Sequence, residues 1–196
     1  MPPLDQHASM TTVNPFADLT EATAPAAAQP LLAQARSIFG FVPNLAVVMA
    51  AEPATLEAYF HALQAFGQTS LSPIEQQIVL MAISRVNHAD YSLAIHAALA
   101  AKLGAPANVV KAIGTGAPVS DARLAALRRF TELLTIGRGD IARAELAAFL
   151  DAGYDRNAVV AVAFGIAAKT FANALAHLAR TPVDKPFEPA LADLRQ

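Results

Sequence analysis

Apolar residues recur along this chain at offsets of three and four, in stretches separated by Pro, Gly and capping residues. Leu56, Tyr59, Phe60, Leu63 and Phe66 make one face of a helix that Pro53 opens and Gly67 closes. Ser72-Pro73-Ile74-Glu75 predicts a strong start: Ser as N-cap, Pro at the first helical position, and Glu completing a capping box. Ile78, Leu80, Met81, Ile83 and Val86 supply the apolar positions that follow. A bend is expected at Asn87-His88, with a second helix from Ala89 or Asp90 that stops at Gly104 and Pro106. Leu124, Leu127, Phe130, Leu133 and Leu134 stripe a helix from Asp121 to about Ile136, capped by Ser120. Asp155 caps the longest helix, Arg156 to about Arg180, and Pro182 stops it. Shorter helices are predicted over Pro30 to Phe39, after Pro43 to about Ala51, over Pro106 to Ile113 and over Arg143 to Asp151. No stretch alternates with the period of a strand. The expected fold class is all-α, a single-domain multi-helix bundle of about eight helices.

Residues 1–29 break this periodicity with Pro2, Pro3, Pro15 and Pro25, and read as an extended arm ordered against a neighbour. The helical domain then covers 30–187, and 188–196 read as a polar tail. A chain of 196 residues suits one domain. At 55% hydrophobic and 15% charged it is rich in apolar residues for a monomer, so a homo-oligomer is expected. Net charge is −2 and the longest basic cluster is Arg128-Arg129, which excludes a nucleic-acid footprint. There is no Cys, so no disulfide. No signal-peptide pattern is seen, and the most apolar run, Ala158 to Ala168, is too short to span a bilayer. A cytoplasmic protein without a membrane partner is the expectation.

The candidate chemistry lies in Asn87-His88-Ala89-Asp90-Tyr91-Ser92-Leu93-Ala94-Ile95-His96. Helical spacing puts 89, 92 and 96 on one face. His88, Ser92 and His96 are also four residues apart, as in a metal face, but no carboxylate joins them, and a polar pocket histidine is the favoured reading. No metal and no cofactor are expected. Asn173 and His177 share a face of the last long helix and either look into the same pocket or bond to backbone at a helix crossing. Tyr91 reads as core as readily as pocket. A Ser92–His96 nucleophile pair lacks an orienting acid. Gly114-Thr115-Gly116 and Gly137-Arg138-Gly139 follow no strand, so they read as helix ends rather than phosphate loops.

Three segments in order resemble the alkylhydroperoxidase D and carboxymuconolactone decarboxylase family, its peroxidase-related branch above all. Gly40-Phe41-Val42-Pro43-Asn44-Leu45 is similar to the family's entry segment, Ser72 to His96 to its core motif, and Asn173 to Asp184 to its closing segment. The resemblance implies an all-α bundle assembled as a trimer or hexamer, and antioxidant, thiol-dependent reduction of hydroperoxides through a Cys-x-x-Cys pair with a thiol reductant as partner. On that pattern Ser92 stands where the attacking cysteine would be, Ala89 where the resolving one would be, and His96 where the motif histidine is. Gln77 stands at the relay glutamate. Glu75, two residues earlier, turns away by about 200° and is explained by its capping box. A serine hydroxyl cannot follow the sulfenic-acid route, so the chain is expected to be inactive as a peroxidase. Two alternatives are kept. One is a cysteine-independent acid–base lyase or decarboxylase acting on a small lactone acid, with His96 as acid or base and Gln77 or Asn173 orienting the substrate. Such a site wants a positive group, and Arg85 is the only basic residue near the motif. The other is a non-catalytic pocket or scaffold that binds a small-molecule ligand.

Overall fold

The computed structural model describes residues 14–195. Ten α-helices occur among them: α1 (Gln29–Phe39), α2 (Asn44–Met49), α3 (Pro53–Gly67), α4 (Pro73–Val86), α5 (Asp90–Lys102), α6 (Ala107–Thr115), α7 (Ala122–Ile136), α8 (Arg143–Asp151), α9 (Arg156–Leu178) and α10 (Glu188–Arg195). No strand occurs among the described residues, and the class is all-α as the periodicity predicts. The count exceeds the expected eight partly because the tail is not loose. It forms α10, which packs on α5 and α6 and buries Leu194.

Helix α4 is the axis of the bundle and packs against α5, α6, α7 and α9. Every residue from Ile78 to Ser84 is buried, so its apolar character runs all round the helix rather than along one stripe. The capping box forms as predicted: Ser72 Oγ accepts from the Glu75 N–H, and Glu75 Oε2 accepts from the Ser72 N–H at 2.9 Å. Glu75 Oε1 is taken by the Tyr154 hydroxyl at 2.9 Å and by Arg123, so this carboxylate serves the fold. The cap of α7 is Asp121, not Ser120. Asp121 Oδ1 accepts from the Leu124 N–H at 2.9 Å, and a carboxylate three residues before that donor has the reach a serine at 120 lacks.

Two apolar cores meet along α9. The larger joins α4 to α5, α6, α7 and α8, the first half of α9, and Leu194. The smaller joins α1, α2 and the start of α3 to Tyr91 and to Ala172 and Ala176 of α9. Residues 14–28, within the stretch expected to be an arm, lie against this second core. Ala24 and Ala28 are buried, and the Asn14 amide donates to the Ala179 carbonyl at 3.1 Å. Residues 1–13 of that expected arm lie outside the described residues. The 23 residues of α9 are, by length and composition, enough to cross a membrane, which the shorter run Ala158 to Ala168 is not. In the bundle α9 is the core helix, packed on α2, α3, α4, α5 and α7. Gly165 allows the close approach: a Cβ there would stand 2.9 Å from a ring carbon of Phe66.

Candidate functional site

Between the two cores lies a cavity of about 230 Å³, bounded by α1–α5 and α9. Its walls are apolar, among them Phe39, Met49, Tyr59, Phe60, Leu63, Phe66, Leu80, Ile95 and Leu99. Besides Tyr59, its polar residues are few: Gln76 and Gln77 from α4, Tyr91, Ser92 and His96 from α5, and Lys169 from α9. No carboxylate lines it. A benzene-sized ligand occupies about 150 Å³ in an engineered apolar cavity, so this one has room for more.

Helical spacing aims Ser92 and His96 into the cavity together, since offsets of four share a face. His96 Nδ1 lies 2.9 Å from Gln77 Oε1. With the amide oxygen as acceptor, Nδ1 carries the proton, and Nε2 is the ring nitrogen left with a lone pair. Burial holds His96 well below the usual imidazole range, and the charge of Lys169 pushes the same way. The ring is therefore neutral at pH 7.

Lys169 is 2% exposed and its Nζ donates to Ser92 Oγ at 3.0 Å. No carboxylate pairs with it among the described residues. Burial lowers its pKa to about 7, so the ammonium and the free amine are both populated near neutrality. This residue is the one the sequence reading passes over. The one sequence signal was its register: Lys169 falls in line with Ala161, Val162, Gly165, Ala172 and Asn173, though which face turns inward is decided by packing. A positive group does reach the pocket, but it is Lys169. Arg85, the basic residue nearest the motif in sequence, pairs instead with Glu132 at 2.6 Å.

The turn between α4 and α5 places the rest of the motif. His88 takes φ +53°. Its N–H reaches the Arg85 carbonyl at 3.0 Å and the Ala89 N–H reaches the Ser84 carbonyl at 2.8 Å, the two bonds of a Schellman turn. Ala89 caps α5 with φ −97° and ψ 80°, outside helical geometry, so the offset rule that joins 92 to 96 does not carry back to 89. Ala89 opens instead onto a shallow polar recess with His88, Asp90, Tyr91, His177, Arg180 and Thr181. His177 is held there through Nε2, 2.8 Å from the Asn87 carbonyl, which fixes α9 to the turn. Asn173 is buried at 1% exposure, and neither amide atom has a partner among the described residues. It lines neither the cavity nor the recess. Among the predicted site residues the cavity thus gathers Gln77, Tyr91, Ser92 and His96, while His88, Ala89 and His177 stand outside it.

Tyr91 spans both and ties three distant segments together. Its hydroxyl donates to Asp184 Oδ2 at 2.7 Å and accepts from the Leu45 N–H at 3.1 Å, while Asp184 Oδ1 accepts from the Asn44 N–H at 3.0 Å. Burial raises the Asp184 carboxyl, against the donors from Tyr91 and Asn44. The entry segment, the motif and the closing segment meet at this one network.

Solved structures share this arrangement of helices over most of the chain. A peroxidase-related protein of the alkylhydroperoxidase AhpD core type from Ralstonia eutropha JMP134 superposes with a TM-score of 0.76 at 19% identity, over 86% of this chain and 90% of that one. The chain has the alkylhydroperoxidase D-like fold. A peroxidase-related protein from Silicibacter sp. TM1040 superposes with a TM-score of 0.75 at 20% identity, over 89% and 94%. The debrominase Bmp8 superposes with a TM-score of 0.72 at 16% identity, over 90% and 95%, and a cysteine-to-alanine variant of Bmp8 is known in complex with 2,3,4-tribromopyrrole. No sequence-family model and no curated protein matches the chain. In the alkylhydroperoxidase D-like fold of this chain, a serine and a lysine occupy the cavity, and no sulfur from cysteine is present anywhere.

Proposed function

We propose that this chain uses the alkylhydroperoxidase D-like cavity without thiol chemistry, to bind a small, mostly apolar acid and move a proton on it. The observation that carries the reading is the buried Lys169 Nζ, 3.0 Å from the Ser92 hydroxyl, beside a neutral histidine in an apolar cavity free of carboxylates. A bound carboxylate would draw Lys169 to its ammonium form, and the low local polarity makes that pair strong. His96 Nε2 then accepts a proton from carbon or oxygen of the ligand, and Gln77 holds the ring in the tautomer that permits it. Lys169 offsets the negative charge that grows as the proton leaves. The tribromopyrrole complex of the Bmp8 variant supports a small-ligand use of this fold. The near-uncharged outer face of α9 supports self-association, and a trimer or hexamer is the state the resemblance implies.

Hydroperoxide reduction is the activity this reading gives up, because sulfenic acid cannot form on Ser92. An alkyl hydroperoxide supplied with a dithiol should disappear at the uncatalysed rate when the protein is added. Small aryl or alkyl carboxylic acids should raise the melting temperature of the wild type and leave Lys169→Met unmoved. Turnover of the hydroperoxide, or equal stabilisation of both proteins by the acids, would overturn the reading.

A further inference from the structure

Four lysines occur in the chain, and three of them, Lys102, Lys111 and Lys185, are exposed. Lys169 differs in its burial and in its neighbours. Its Nζ is sunk in an apolar cavity, no carboxylate holds it as an ammonium, and its recorded partner is a hydroxyl that can both accept from it and donate. The groups that face it are Ser92 and His96 of α5, with Gln76 and Gln77 of α4 and the Tyr59 and Tyr91 rings on the cavity wall. Burial keeps both tyrosines protonated and His96 neutral, so no charged group other than Lys169 itself lines the cavity. Lys102, Lys111 and Lys185 stand instead at the surface, in water. This one is arranged as a nucleophile, because a desolvated amine without a counter-ion keeps its lone pair.

We propose that Lys169 captures small apolar aldehydes or ketones as an imine, with Ser92 and His96 handling the protons. This goes beyond the reading above and rests on it only for the cavity. The Nζ lone pair attacks the carbonyl carbon, a C–N bond forms, and the C=O π electrons pass to oxygen. A proton moves from nitrogen to that oxygen by way of the Ser92 hydroxyl, 3.0 Å from Nζ. The C–O bond then breaks, water leaves with a second proton, and the C=N bond remains. His96 Nε2, the ring nitrogen that Gln77 leaves free, relays the second proton from nitrogen to the departing oxygen. No oxidant or reductant enters the step. The cavity volume of about 230 Å³ suits a carbonyl compound of the size of benzaldehyde or hexanal.

The test is reductive trapping on the full chain with benzaldehyde and cyanoborohydride at pH 7, read by peptide mapping. The mapping separates the four lysines from one another and from the α-amino group. Ordinary lysines are about one part in 10³ neutral at that pH, so Lys169 should label at least ~100-fold faster than Lys102, Lys111 or Lys185. Raising the pH to 10 should shrink that preference, because an amine in water is then deprotonated in part. Ser92→Ala should slow labelling of Lys169 several-fold without moving the exposed sites. Benzyl alcohol, which fits the cavity but carries no carbonyl, should protect Lys169 alone. Labelling of Lys169 no faster than of the exposed lysines, or only after unfolding in urea, overturns the proposal. A protein stabilised by carboxylic acids but not labelled at Lys169 would keep the acid-binding reading and remove this one.

Discussion

Burying the Lys169 amine has a cost that pH can reveal. Its folded-state pKa is about 7, below the value of ~10.4 expected in the unfolded chain. Between those values the unfolded chain binds more protons, so stability rises with pH across the window. Below pH 7 both states hold the proton and the full penalty of a buried charge is present. Above pH ~10.4 both have lost it and the penalty is gone. Lys169→Met removes the group, so its unfolding free energy should lack this rise, and the wild type should gain roughly 3–5 kcal/mol on it from pH 7 to pH 10. Urea melts of the two proteins at both pH values check this; parallel pH profiles would show that the amine is solvated. Nothing in local sequence sets this shift. An Ala-Ala-Lys-Thr stretch reads as ordinary helix, and only the packing of α9 on α4 and α5 turns Lys169 inward.

At the scale of elements, the α4–α5 turn and the Tyr91 network hold the site in place. His88 sits in the left-handed region at φ +53°, where a Cβ crowds the carbonyl that follows. His88→Gly should relieve that crowding and stabilise the fold by about 1 kcal/mol, measured by chemical denaturation, since His88 is exposed and lies outside the cavity. An unchanged or lowered midpoint would mean the imidazole makes a contact worth more than the strain. Tyr91→Phe works the other way. It strands Asp184 Oδ2 and the Leu45 N–H in a buried place, and should cost about 1–3 kcal/mol. It should also loosen the 40–45 segment, seen as faster amide exchange at Asn44 and Leu45. The capping box at Ser72 was legible because both of its bonds are local. The Tyr91–Asp184 bond was not, because its partners are 93 residues apart.

The whole molecule presents an outer face that the bundle does not use. Along α9 the exposed positions Val160, Ala163, Phe164, Ala167, Thr170 and Ala174 recur at helical spacing without a charge among them, and Val160 is 68% exposed. A stripe of this kind is unusual on a monomer and fits a subunit contact. The expected outcome is an assembly larger than the 20.5 kDa chain, by light scattering coupled to size exclusion at micromolar concentration. Phe164→Glu should shift it towards monomer without lowering helix content. A wild type that elutes as a monomer would sink the expectation. An assembly untouched by Phe164→Glu would move the interface elsewhere.

The periodicity of apolar residues, with the caps at Ser72 and Asp155 and the stops at Gly40, Gly104 and Pro182, determined α1 to α9 and the all-α class by itself, but not α10. These signals work within one or two turns, where side-chain direction follows from chain position alone. The same rule paired Ser92 with His96, four residues apart on one helix. It could not carry Ala89 into the pair, because the chain leaves helical geometry one residue before α5 begins. Tertiary structure decided everything that needs two helices at once. It set His96 against Gln77, Tyr91 against Asp184, and Lys169 against Ser92, 77 residues away in the chain. It also decided that Lys169, on a long apolar helix, would face an apolar cavity rather than water. That placement makes the amine a reactive group, because desolvation, not sequence, sets whether a lysine keeps its proton.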